Sequence, residues 1–124
     1  MRIDINPIAK PRMTQGDKRQ KRPCVQRYWK FKDELKEKHP EQLGNVAIIS
    51  FRIAMPKSWS KKKKREHYGK NHQQKPDLDN LVKAVFDSLC ADDSHICFLL
   101  ADKLWDYEGS ITIYKNINEF MHKT

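Results

Sequence analysis

The sequence predicts a small α+β fold, a mixed sheet packed by helices, on three observations. Apolar residues recur with a helical period in two stretches, and with period two in several others. In chain order these stretches run β-α-β-α-β-β. The chain has 124 residues, 38% hydrophobic and 10% aromatic, enough for one small core across residues 1–124 and too little for several domains.

The elements follow from local pattern. Met1 to Ile5 alternates Met1, Ile3 and Ile5 with Arg2 and Asp4, as a half-buried opening strand does, until Pro7 and Pro11 interrupt it. Residues 9–23 carry Lys10, Arg12, Lys18, Arg19, Lys21 and Arg22 with almost nothing to bury, and are expected to form a basic arm. Val25, Tyr28, Phe31 and Leu35 are spaced by threes and fours, which predicts an amphipathic helix over Val25 to Lys38. In Val46 to Met55, Ala47, Ile49, Phe51, Ile53 and Met55 share one face, the clearest strand in the chain, and Pro56 stops it.

Residues 56–75 form a basic insertion around Lys61-Lys62-Lys63-Lys64-Arg65. Ser60 is placed to cap a short helix there, which lysine self-repulsion weakens. Pro76-Asp77 opens the strongest helix: Leu78, Leu81, Val82, Val85, Phe86 and Leu89 fall on an arc of about 140° at 100° per residue. Asp79, Lys83 and Asp87 lie on its opposite face. Ile96 to Trp105 and Ile111 to Tyr114 read as strands joined by a polar turn, Asp106 to Gly109.

Charge narrows the partner. Twenty-five Lys and Arg against sixteen Asp and Glu leave a formal charge of +9, which predicts an anionic partner. No apolar run approaches the roughly 20 residues of a membrane helix, and the first ten residues lack the apolar region of a signal peptide, so a cytoplasmic protein without a membrane partner is expected. Cys24, Cys90 and Cys97 form no CxxC pair and read as small buried hydrophobes. His39, His67, His72, His95 and His122 fit no metal-binding spacing and read as surface or loop residues. Trp59 and Tyr68 flank the lysine run, and Tyr28 and Trp29 follow the arm. Basic and aromatic residues interleaved in this way suit a phosphate backbone, with Lys61, Lys62, Lys63, Lys64, Arg65 and Lys75 as its contacts. No zinc finger, RNP motif or recognition-helix pattern is present, so shape and backbone are read rather than base edges.

Acidic residues gather in two places: Asp77 and Asp79 at a helix start, and Asp92-Asp93 beyond its end. The helix dipole favours ionised carboxylates at Asp77 and Asp79, and hard oxygen ligands of this kind suit Mg²⁺ or Mn²⁺. Lys83 lies four residues after Asp79, about 40° around the helix, where its ammonium can serve the same phosphate. Metal ligands beside a cation are what phosphodiester hydrolysis needs. A structural reading stands beside this one, with Asp77 as an ordinary N-cap, Asp79 and Lys83 as an ordinary ion pair, and Asp92-Asp93 as a solvated turn.

Lys75-Pro76-Asp77-Leu78-Asp79-Asn80-Leu81-Val82-Lys83-Ala84-Val85-Phe86-Asp87-Ser88-Leu89, followed by Asp92-Asp93-Ser94, resembles the signature of RusA-type Holliday-junction endonucleases, DxDNLxKAxxDxL with a downstream acidic pair. Lys103 resembles a lysine those enzymes carry in the next strand. The resemblance implies a bacterial or phage-encoded homodimer that places paired nicks in four-way DNA junctions with Mg²⁺ or Mn²⁺ and no small-molecule cofactor. It implies Asp77, Asp79 and Asp93 as catalytic, metal-binding carboxylates, with Lys83 as the catalytic cation. The link from Leu89 to Asp92 is only Cys90-Ala91, shorter than in many relatives, which keeps Asp92 and Asp87 open as alternative ligands. Two further functions remain: a non-catalytic junction-binding protein on the same scaffold, and a ribonuclease or general nuclease with the same chemistry.

Overall fold

The computed structural model describes residues 1–12 and 22–123. Much of the expected basic arm, including Lys18, Arg19 and Lys21, lies outside the described residues. The elements are β1 (Arg2–Ile3), α1 (Pro23–Lys38), β2 (Val46–Ala54), α2 (Lys61–His67), α3 (Leu78–Leu89), a 3₁₀ turn (Asp93–His95), β3 (Phe98–Asp106), β4 (Ser110–Ile113) and α4 (Ile117–Met121). The arrangement is α+β, but its order departs from β-α-β-α-β-β by α2 and α4. Asn116 starts α4 by accepting from the Glu119 N–H at 2.9 Å, while the Glu119 carboxylate accepts from the Lys115 N–H at 3.2 Å.

The four strands are ordered β1-β4-β2-β3. β2 runs parallel to β3 and antiparallel to β4, so β2–α3–β3 is a crossover unit. The two strands expected on either side of a polar turn are present, but β3 and β4, joined by Tyr107–Gly109, are not neighbours, and the link passes over the end of β2. Met55 N–H donates to the Asp106 carbonyl at 2.9 Å at that crossing. Gly109 lies against Asn6, whose Cα would stand 3.1 Å from a Cβ there, so a side chain in the link would force Asn6 to shift.

One face of the sheet forms the core. Ala47, Ile49 and Phe51 of β2 and Ile111 of β4 pack with Tyr28, Phe31 and Leu35 of α1 and with Leu81, Val82, Val85 and Leu89 of α3. Register puts Ser50 and Asp102 on the opposite face. There the Ser50 hydroxyl donates to Asp102 at 2.6 Å, and Lys123, just past α4, pairs with the same carboxylate at 3.0 Å.

The basic insertion is tied to the sheet by its second limb. Gly69 N–H donates to the Trp105 carbonyl, Trp105 N–H to the Lys70 carbonyl and His72 N–H to the Lys103 carbonyl, at 2.9, 2.9 and 3.0 Å. Residues 69–72 thus run along the outer edge of β3, with Gly69 turning in at φ +76°. His72 is consequently buried, against the expectation of a surface histidine, and packs on Trp105 with ring centroids 4.3 Å apart. Cys97, expected in the interior, is exposed.

Candidate active site

α3 brings its acids to the surface because its other side is committed to the core. Leu81, Val82, Ala84, Val85, Ser88 and Leu89 are buried, which leaves Asp79 and Lys83 facing outward. A cavity of about 660 Å³ opens between α3 and the start of β3, lined by Leu78, Asp79, Val82, Lys83, Phe86, Asp93, Leu99 and Ala101. Two carboxylates from separate elements and an ammonium thus share one apolar-walled cavity. Register explains the strand's share: Leu99, Ala101 and Lys103 alternate on the α3 side of β3.

The local hydrogen bonds bear on the structural readings of the acids. Asp77 has the extended backbone of an N-cap, yet its side chain makes no capping hydrogen bond. Its carboxylate is exposed and lies outside the lining of the cavity. Asp79 and Lys83 approach to only 3.9 Å, with side chains 71% and 60% exposed, so this pair does little to stabilise the helix. Asp92 does cap: its Oδ1 accepts from the Ser94 N–H at 2.9 Å, and that bond holds its carboxyl below the usual range. The short Cys90-Ala91 link therefore ends in a 3₁₀ turn in which Asp92 has a structural task and Asp93 faces the cavity.

His95 fastens this turn. Its Nδ1 meets the Asp92 carbonyl, and its Nε2 meets the Leu43 carbonyl at 2.9 Å. Carbonyls only accept, so a ring that satisfies both carries a proton on each nitrogen, and these bonds, to Leu43 first, raise its pKa. Asp87 does not reach the cavity. Tyr28 OH donates to its Oδ2 at 2.7 Å and Lys10 pairs with the same oxygen at 2.8 Å. Burial pushes the Asp87 carboxyl up, but Lys10 and Tyr28, helped by Lys32, outweigh it and hold the carboxyl below its ordinary value.

Lys103 is spent on backbone. Its Nζ donates to the Gln74 carbonyl and, at 2.6 Å, to the Pro76 carbonyl, so it holds the chain just before Asp77. Among the described residues, no three His, Cys, Asp or Glu side chains gather as a metal-binding group. Mg²⁺ keeps several waters and is commonly held by one or two carboxylates together with substrate phosphate, so Asp79 and Asp93 are a fitting donor set.

The comparison that matches spans most of the chain: the family model for endodeoxyribonuclease RusA aligns with residues 4–114. The chain belongs to the RusA family. It is therefore a member of a nuclease family, and the acid-rich cavity lies within the matched residues. No curated protein and no solved structure matches it.

The basic residues of this RusA-family chain occupy a separate element. α2 has no buried residue; Ser60 caps it by accepting from the Lys63 N–H at 3.1 Å. It is held by rings: Trp59 lies 4.8 Å from both His67 and Trp105, and Lys63 Nζ sits 4.3 Å over the Trp59 ring. Sequence reasoning missed Lys10 and Arg12 as site residues; with Pro11, Asn80 and Lys83 they line a pocket of about 500 Å³. Their only sequence signal was charge.

Proposed function

We propose that this chain is a divalent-metal-dependent endodeoxyribonuclease that resolves four-way DNA junctions by paired nicks, acting as a homodimer in the cytoplasm. One observation carries the reading: Asp79 and Asp93 share a cavity with the unburied cation Lys83. Asp79 and Asp93 would hold Mg²⁺ or Mn²⁺, with Asp77 completing the acidic set from the start of α3. When bound, the ion activates water and offsets charge on the phosphate.

The chain's own residues supply the rest. Lys83 lies one turn along α3 from Asp79, where its ammonium offsets charge building on the non-bridging phosphate oxygens. Asp92 and His95 hold the turn that presents Asp93, and Lys103 holds the backbone that presents Asp77. Lys61, Lys62, Lys63, Lys64 and Arg65 on α2, with Lys75, attract the DNA backbone without reading bases. Two copies of a chain of charge +9 suit a junction in which four duplex arms crowd their phosphates.

The test is cleavage of a labelled synthetic four-way junction with Mg²⁺, Mn²⁺ or EDTA, beside linear duplex, RNA and the Asp79→Asn protein. Symmetric, metal-dependent nicking confined to the junction, absent in Asp79→Asn although junction binding persists, is the expected result. Binding without cleavage under any metal would identify a non-catalytic junction binder. Equal cleavage of duplex or RNA would identify a general nuclease.

A further inference from the structure

Lys83 stands between two openings. On one side is the cavity with Asp79 and Asp93, and on the other the pocket lined by Lys10, Pro11, Arg12, Asn80 and Lys83. The second pocket has three cations in its wall and no acid. Its outer wall is the N-terminal segment, which the main chain fixes in place: Lys10 N–H donates to the Asn80 carbonyl at 3.1 Å. The Lys10 ammonium is anchored on Asp87 at 2.8 Å, and Tyr28 braces that carboxylate from α1. Arg12 follows at once. Its carbonyl accepts from Arg22 at 2.7 Å, while no carboxylate among the described residues pairs with its guanidinium.

A pinned loop whose Arg12 guanidinium pairs with no carboxylate among the described residues, sharing one pocket with an amide and an ammonium of α3, is a site for a tetrahedral oxyanion. Arg supplies a planar fork, Asn80 an N–H₂ donor and Lys83 a point charge. We propose that Arg12, Asn80 and Lys83, with Lys10 as the anchor of the loop, form a subsite for the DNA backbone phosphate adjoining the one at the acidic cavity. This rests on the endonuclease reading for the location of the scissile phosphate. In it, Lys83 bridges two successive phosphates, and the strand is held on both sides of the bond to be cut.

The experiment measures binding rather than cleavage. Junctions carrying one neutral methylphosphonate at a time around the branch are titrated in EDTA with wild type, Arg12→Gln and Arg12→Lys, after matched melting curves. One phosphate position is expected at which neutralisation weakens wild type about tenfold or more but costs Arg12→Gln nothing further, with Arg12→Lys intermediate. The slope of log affinity against log salt should fall by about 0.9 in Arg12→Gln. Equal sensitivity of wild type and Arg12→Gln at every position would overturn the subsite. So would binding of inorganic phosphate that depends on Arg12 yet leaves junction affinity unchanged at equal ionic strength, which would assign the pocket to a free anion. A wild-type protein that shows the Arg12-specific position yet never cuts would overturn the endonuclease reading and leave the phosphate subsite standing.

Discussion

The two helices that follow β2 are held in place by opposite means. α3 buries six of its residues and is bound into the core by Leu81, Val82, Val85 and Leu89. α2 buries none, carries four lysines and an arginine in seven residues, and is held by a serine cap and by rings packed at an angle on Trp105. On the proposed reading α3 aims the reacting groups, which needs the rigidity that core packing supplies. A helix that gathers counterions needs charge more than precision. Lysines in such density repel one another, so α2 depends on contacts beyond itself.

The hardest break of that comparison is Trp105→Ala. Trp105 is 5% exposed and supports Trp59, His67 and His72, so its removal should cost about 3–5 kcal/mol. Denaturant titration should record that loss, and hydrogen exchange should show α2 losing protection well before α3. Equal loss of protection across both helices would show that α2 is as much a part of the core as α3.

Lys83→Met tests the catalytic side of the comparison. Its side chain is 60% exposed, so the fold should survive while the single-turnover rate at saturating junction falls roughly 10²- to 10³-fold. Replacement of Lys61, Lys62, Lys63 and Lys64 by Gln should act the other way. The salt dependence of binding should flatten by up to about 3 to 4 in log–log slope, with the saturated rate nearly intact. A changed saturated rate in that variant would place α2 in the chemistry.

The smallest effect concerns pH. Burial, and then the charge of Lys103, lower the pKa of His72, so the folded state takes up its proton less readily than the unfolded chain. Stability is then lost as pH falls below the unfolded value of about 6.5. Wild type should lose more melting temperature between neutral pH and pH 5 than His72→Phe does. Parallel losses in the two proteins would remove His72 as the cause.

α3 was readable in the sequence because one residue pattern fixes both its buried stripe and its exposed acids. Which of Asp92 and Asp93 caps the 3₁₀ turn was not, since that is a matter of backbone angles. The separation of β3 from β4 was not legible, because Asp106 to Gly109 has ordinary turn chemistry and nothing local says that β2 lies between the strands. α4 did carry a signal, Asn116 followed three residues later by Glu119, the pattern of a capped helix start. His72 and Arg12 depend on contacts distant in sequence, which periodicity does not report.

The strip of backbone along β3 has a consequence for how copies of this chain can meet. Residues 69–72 occupy the hydrogen-bonding edge of β3 at Lys103 and Trp105, and the far edge is a strand of two residues whose amino terminus is turned onto the Ile113 carbonyl at 2.6 Å. Both edges are thus shortened as templates for a foreign strand to extend the sheet. A shortened edge disfavours backbone pairing, which accepts nearly any extended chain, relative to side-chain surfaces, where charge and shape can discriminate.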